Sequence, residues 1–305
     1  MSSGNKSTGR QLWRTLCRVF LAACLLLLFV TALRMGLFRQ YLPENLMPAP
    51  VEGQAGFALH MIDVGQGQAL LLTCGGESAM VDAGLPATAD DVVDYVWRQG
   101  VRDLRYLFVT HPHSDHCGGA RTLLEEIGAE TLVIPEYLSP EATLATAGDW
   151  VGNTATQMAV THTGEQFRLG DATLSVLHPA AGNGIEDMND LSLVLLVEYA
   201  GKRLLITGDI TREVELQLPD IGPVDMLQVP HHGSGGSSCA EFLEQLSPKY
   251  AFISCGENND YGHPHDSVLQ RLEDVGAAIY RTDREGTLVV RIREGQITAE
   301  SENKP

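Results

Sequence analysis

The chain reads as one layered α/β domain, with sheets inside and helices outside, behind a short apolar segment at its N-terminus. Three observations point there. Strand-like apolar runs and helix-like stretches occur together in both halves, with no linker between the halves. Four polar clusters rich in histidine or aspartate each follow directly on a predicted strand. The composition is that of a globular protein: 44% apolar and 20% charged over 305 residues, which excludes wholesale disorder, collagen and coiled coil.

The N-terminus comes first. Residues 19–33, VFLAACLLLLFVTAL, form an unbroken apolar run of 15 residues, shorter than the roughly 18–20 that a spanning helix needs. Arg18 and Arg34 can snorkel, which extends the predicted membrane anchor to 16–38. The alternative is the core of a cleavable signal peptide, which would leave the body secreted. No A-x-A site follows the run, and this favours the uncleaved anchor. Four bases precede the run, so residues 1–15 are predicted as a cytoplasmic tail and the body as extracytoplasmic. Residues 39–56 are Pro-bearing and aperiodic, a linker to a body spanning 57–300.

Charge narrows the partners. The first 50 residues hold six bases and one acid, which leaves the rest of the chain at −23. Such a body offers a polyanion no global basic face; nucleic acid would have to be met through bound cations or a local patch such as Lys202, Arg203, Lys249, Arg281 and Arg284. Of the six cysteines, Cys17 and Cys24 fall in the apolar segment. Cys74, Cys117, Cys239 and Cys255 allow three disulfide pairings, and free buried thiols are an equal alternative.

Along the body, strands are predicted at 57–63, 69–73, 78–82, 106–109 and 131–134, with helices at 90–98 and 120–127 and a further helix near 140–148. The second half repeats the mixture. Strands are predicted at 173–177, 191–199, 203–207, 226–229, 250–254, 278–280 and 287–292, and helices at 211–218, 240–246 and 267–275.

Seven of the ten histidines lie in three tight groups. His111-Pro112-His113-Ser114-Asp115-His116 follows a buried strand. Three imidazoles and a carboxylate at this density match borderline divalent cations such as zinc, manganese or iron. In an extended loop alternate residues point the same way, so His111 and His113 can share one ion while Asp115 and His116 turn to a second. Asp209 ends the apolar strand LLIT after Gly208, where a carboxylate can bridge two cations. His231-His232-Gly233-Ser234 and Gly262-His263-Pro264-His265 end two further strands. Four such clusters in one domain suggest one shared rim. His60, His162 and His178 show no grouping and read as structural.

These residues resemble the metallo-β-lactamase superfamily: His111, His113, Asp115 and His116 match its H-x-H-x-D-H signature, Asp82-Ala83-Gly84 its upstream D-x-G, and Asp209 its later aspartate. More narrowly, the body resembles the extracytoplasmic hydrolase domain of ComEC-type competence proteins. The matching pieces are Asp63-Val64-Gly65-Gln66-Gly67, Asn189-Asp190-Leu191-Ser192, the HHGS run, and Gly256-Glu257-Asn258-Asn259 with Tyr261-Gly262-His263-Pro264. The resemblance implies a four-layer αββα sandwich with a two-metal site at one edge. It also implies hydrolysis of phosphodiester bonds in nucleic acid by a hydroxide between two divalent ions, zinc or manganese, with a link to DNA uptake. Two departures stand out: Gln68 replaces an aspartate usual in that group, and its multi-span channel domain is absent from this sequence.

The expected roles follow. His111 and His113 hold the first metal, Asp115 and His116 the second, and Asp209 bridges; Asp115 also orients the hydroxide. The last histidine ligand is His231 or His263, and the remaining histidines of that rim, His232 among them, are candidates for proton transfer. Asp82 is expected to orient a metal-binding histidine through its free N–H. Asp63, Asn189, Asp190 and Ser234 are expected to shape or support the pocket. Two rival readings remain open: a cell-surface esterase or lactamase acting on small molecules or wall polymers, which the acidic body favours, and a non-catalytic metal-containing binding module.

Overall fold

A computed structural model describes residues 20–21, 23–25, 56–136, 147–152, 154–180 and 187–302. The chain divides into two compact units, Met1–Met47 and Pro48–Pro305. In the first, residues 20, 21 and 23–25 are helical. Among the described residues no helix is long and apolar enough to cross a membrane; most of the expected anchor lies outside them.

The second unit contains two sheets. The first orders its eight strands β15-β14-β1-β2-β3-β4-β5-β6. These are β1 (Phe57–Met61), β2 (Leu70–Cys74), β3 (Glu77–Val81), β4 (Leu104–Phe108), β5 (Ala129–Pro135) and β6 (Gln157–Thr161), closed by β14 (Thr287–Arg293) and β15 (Gln296–Glu302). The second orders seven strands β13-β12-β11-β10-β9-β8-β7. Here β7 (Gln166–Leu169), β8 (Ala172–His178), β9 (Val194–Tyr199) and β10 (Lys202–Ile206) are antiparallel, and β11 (Met226–Gln228), β12 (Tyr250–Ile253) and β13 (Ala278–Arg281) continue in parallel.

Alternation along these strands explains the layering. Leu70 and Leu72 point between the sheets, where they meet Leu174, Leu195, Ile206 and Phe252; Leu71 points outward with Met80 and Leu107. The outer face of the first sheet is covered by helices α1 (Ala89–Arg98) and α3 (Ala120–Glu126), through Val93, Val96 and Leu123. Between them lies a single turn, α2 (Ser114–Cys117). On the second sheet, Leu205, Leu227 and Ile253 face out against α4 (Ala240–Leu246) and α5 (Asp266–Asp274), through Phe242, Leu243 and Leu272. Strands buried on both faces therefore read as continuous apolar runs, LLL and LLI. The result is helix, sheet, sheet, helix: the αββα sandwich.

Several expectations shift. The strand expected from Leu191 begins at Val194, because Asn189–Leu191 is a 3-10 turn. The helix expected over 211–218 contracts to Arg212–Glu215. Strands β6, β7 and β15 were not foreseen; they sit at sheet edges and leave many side chains exposed, so little apolar pattern marks them. The helix expected near 140–148 lies mostly outside the described residues. Cys74, Cys117, Cys239 and Cys255 are buried and unpaired. Burial pushes the Cys117 and Cys255 thiols up to about 12 and Cys239 up to about 11, which disfavours thiolate and hence metal ligation by Cys117 or Cys239.

Candidate metal centre

The carboxyl ends of β3, β4, β10, β11 and β12 meet at one edge of the sandwich, each delivering a polar side chain as its strand stops. After β4, Pro112 and an extended His113 lead into α2, whose first turn closes with His116 N–H and Cys117 N–H donating to His113 O. Gln68 N–H donates to Asp115 O at 3.0 Å. Gly67 (φ +150°) makes this approach possible: a Cβ there would lie 2.6 Å from Asp115 O. After β10, the buried Gln228 carboxamide accepts from Thr207 N–H at 2.7 Å and Gly208 N–H at 3.0 Å, and Ser192 Oγ accepts from Asp209 N–H at 2.9 Å. Those three bonds fix the aspartate at the rim.

The imidazole tautomers follow from their outer partners. Asp82 Oδ2 lies 2.7 Å from His116 Nδ1 and Ser254 O lies 2.8 Å from His232 Nδ1. A carboxylate and a carbonyl only accept, so both Nδ1 atoms carry hydrogen. The inner Nε2 atoms then face one another at 3.2 Å, with Asp209 Oδ2 at 3.3 Å from the first and 3.4 Å from the second. Asp115 Oδ2 stands 3.5 Å from His232 Nε2. Asp209 Oδ1 is buried without a partner. In the neutral imidazoles this is a cluster of acceptors with nothing to donate, and only protons or cations can satisfy it.

Electrostatics agrees. Burial works against charge on His232, yet Asp209 and Asp115 outweigh it and hold its pKa up at about 9. Burial likewise opposes charge on His116, but Asp209 and Asp82 raise it well above the ordinary range. Asp115 is held down at about 2 against burial by His232 and His116. His111 is the opposite case: burial and the neighbouring His116 push it well below its usual value. Two three-residue sets bring their ligand atoms within 4.8 Å of one another: His111, His116 and Asp209, and Asp115, His116 and His232. Imidazole and carboxylate in this number suit divalent borderline metals, so the residues fit two such ions. Neither candidate set among the described residues includes a cysteine, which would mark a softer site.

The geometry sorts the expected residues. His113 Nδ1 lies 3.0 Å from His111 Nε2, so these two are brought together. The last histidine was expected to be His231 or His263, but the one whose ligand atom lies with those of Asp115 and His116 is His232. Positive φ at both His231 (51°) and His232 (55°) turns the second imidazole inward and leaves the first beside the cavity, its Nε2 3.8 Å from Asp209 Oδ2. His263 is farther out, its ring 6.4 Å from that of His232 and 5.8 Å from that of His231. Burial, then its histidine neighbours, lower its pKa to about 4. Asp82 sits against His116. Asn189 lines the cavity and keeps a buried, unpartnered Oδ1. Asp190, in contrast, is turned away: its Oδ1 accepts from Thr211 N–H and Oγ1–H at 3.0 and 2.7 Å. Ser234 Oγ accepts from Gly236 N–H within its own loop, and Asp63 Oδ1 accepts from Gly65 N–H to close a turn. His265 Nδ1 accepts from Gly235 N–H at 2.7 Å, a structural contact. Sequence reasoning missed Thr110 and Gln228, of which Thr110 alone had a signal, its place next to His111; Tyr261 stood in a matching piece of sequence but had no role assigned to it.

A cavity of about 320 Å³ opens over these groups, its walls including Gln66, Asn189, His231, Tyr261 and His263. A family model, that of the metallo-β-lactamase superfamily, matches residues 62–257, which include both candidate metal sets. The chain belongs to the metallo-β-lactamase superfamily. Within it the chain is similar to competence proteins. ComE operon protein 3 of Bacillus subtilis (strain 168) is 34% identical over 205 residues, 66% of this chain and 26% of that protein. Competence protein ComA of Neisseria gonorrhoeae is 30% identical over 298 residues, 92% of this chain and 39% of that protein. The chain thus spans well under half the length of these relatives. Among solved structures, the metallo-beta-lactamase fold protein YhfI from Bacillus subtilis superposes with a TM-score of 0.52 at 14% identity, over 80% of this chain and 99% of that one. CmlA, a diiron beta-hydroxylase from Streptomyces venezuelae, gives 0.53 at 16% over 78% and 54%. At such identities these likenesses speak for the fold alone. Fold, family and donor set together make the chain a metallo-β-lactamase-fold hydrolase related to competence proteins.

Proposed function

We propose that the chain is a metal-dependent phosphodiesterase acting on nucleic acid, with its catalytic unit tethered outside the cytoplasm by residues 16–38. The observation that carries the reading is the acceptor-only cluster around Asp209 at the floor of an open cavity. Similarity to competence proteins supports nucleic acid as the substrate and DNA uptake as the setting.

Two divalent ions, zinc or manganese, would supply Lewis acidity and a nucleophile at neutral pH. His111, His113 and Asp209 would hold one; Asp115, His116 and His232 the other, with Asp209 reaching both. Asp82 keeps His116 Nε2 free to bind by accepting the hydrogen bond from Nδ1–H, and Ser254 O does the same for His232. Asp115 Oδ2 faces the cavity and orients the attacking water. His231, lowered below its ordinary range by burial, and His263 stand as neutral imidazoles on the wall. A neutral imidazole relays a proton to the leaving oxygen by accepting at one nitrogen and donating from the other.

Hydrolysis of small esters or wall polymers is the second reading, favoured by the −23 charge of the body. Purified full-length chain, reconstituted with zinc or manganese, should retain about two ions per chain. It should cleave bis-nitrophenyl phosphate and DNA or RNA in preference to a β-lactam or an acyl ester. Retention of no ion, or turnover of the acyl substrates alone, overturns the proposal. Protease added outside permeable-walled cells should digest the body; a protected body removes the extracytoplasmic placement.

A further inference from the structure

Tyr261 has no part in holding metal, yet it borders the same cavity as Asp209 and His232. It is 67% exposed, the one exposed aromatic among the described residues of the second unit. A single exposed ring is ordinary on a protein surface; this one is distinguished by its place on the cavity wall and by how it is held. And it is well held. Asn259 Oδ1 accepts from Tyr261 N–H at 3.2 Å and His263 N–H at 3.0 Å, while Asn259 Nδ2 donates to Gly256 O at 2.8 Å and His263 O at 2.6 Å. Gly256 N–H in turn donates to Gln66 Oε1 at 3.2 Å, and Gln66 also lines the cavity. One face of the ring stacks on His263, with centroids 5.5 Å apart and planes at 24°. The tyrosine is therefore a flat, braced surface at the mouth of the cavity.

Charge supplies the second argument. A body at −23 repels a polyanion, and few bases stand ready to draw phosphates in. Beyond what bound cations supply, affinity for nucleic acid has to draw on contacts that carry no charge, and base–aromatic stacking is such a contact, tolerant of sequence. Resting on the phosphodiesterase reading above, we propose that Tyr261 is the residue on which a base of an unpaired strand stacks, so that the site selects single-stranded over duplex nucleic acid. A base inside a duplex is already stacked on both faces and would have to be extruded first.

The test compares an oligo-dT 12-mer, an abasic strand with the same phosphate backbone, and the 12-mer annealed to its complement. Full-length wild type is set against Tyr261→Ala and Tyr261→Phe, with folding checked by circular dichroism. Wild type should favour the base-bearing single strand over the abasic strand by about tenfold or more in kcat/KM, mostly through KM. Tyr261→Ala should bring that ratio near one, and Tyr261→Phe should keep it. An unchanged ratio in Tyr261→Ala overturns the stacking role. If wild type cleaves no strand, the phosphodiesterase reading fails, and fluorescence anisotropy of the uncleaved strands decides on stacking separately. A base-dependent gain in binding lost in Tyr261→Ala upholds it, and equal binding of base-bearing and abasic strands refutes it.

Discussion

His116 and His232 donate their Nδ1–H groups to Asp82 and Ser254 O, so the state of their inner nitrogens governs the centre. Against burial, Asp209 with Asp115 and Asp82 holds His232 up at about 9 and His116 above its ordinary range, so the inner face of this pair favours protons in the metal-free chain. Metal must displace those protons. Calorimetry in buffers of different ionisation enthalpy should therefore record proton release on loading at pH 7, with affinity rising as pH rises towards the imidazole pKa values. Loading without proton release would mean that His116 and His232 do not bind the ions. The same geometry predicts that Asp115→Asn and His116→Ala lower phosphodiesterase activity by roughly a thousandfold or more, a loss of several kcal/mol of transition-state stabilisation. Asp115, on a half-exposed turn, should fold normally as Asn, which keeps the shape and loses the charge. His116 is fully buried against Asp82, contrary to the exposed position its loop suggests, and His116→Ala should also cost stability. Near-native turnover in both variants removes this loop from the centre.

At the scale of elements, the turn that aims His232 is secured from behind. Glu215, buried on the Arg212–Glu215 helical turn, accepts from Ser238 N–H and from Cys239 N–H, the latter at 2.8 Å. Arg271 on α5 donates to Ser238 O at 2.6 Å and Ser237 O at 3.0 Å. Removing the carboxylate leaves two buried N–H groups without their partner. Glu215→Ala should therefore lower the unfolding free energy by about 3 kcal/mol and weaken metal binding, read by urea denaturation and metal titration. A stability within about 0.5 kcal/mol of wild type would show that the turn is held by its own backbone. Nothing in the sequence announced Glu215: one acid in a predicted helix looks like any solvated charge, and only the fold brings Ser238 and Cys239 N–H to it.

At the scale of the whole molecule, pH acts through the core as well as the centre. His60 on β1 is buried, its Nδ1 2.8 Å from Tyr95 Oη on α1, and burial lowers its pKa from 6.5 to about 3. Between those values the unfolded chain binds a proton that the folded chain refuses. Stability therefore falls as pH drops from 6.5 towards 3, by up to about 1.4 kcal/mol per pH unit from this group alone. The slope of stability against pH over that window should be smaller in His60→Leu than in wild type. Equal slopes would show that His60 titrates normally in the folded chain.

Read by itself, the sequence determined the α/β layering, most of the strands, and the identity of nearly every group at the rim. Double-faced burial leaves continuous apolar runs, and metal chemistry demands a histidine and aspartate density that chance seldom supplies. Edge strands β6, β7 and β15 left no such trace, because one exposed flank relaxes the pattern. Tertiary structure alone decided which histidine completes the second set. His231 and His232 are adjacent and chemically identical, and the choice between them rests on two left-handed backbone angles and one carbonyl, Ser254 O, from a strand that is distant in sequence. It likewise turned Asp190 away to Thr211 and set Tyr261 at the cavity mouth, since the direction of a side chain depends on the backbone and neighbours that carry it, which residue type does not encode.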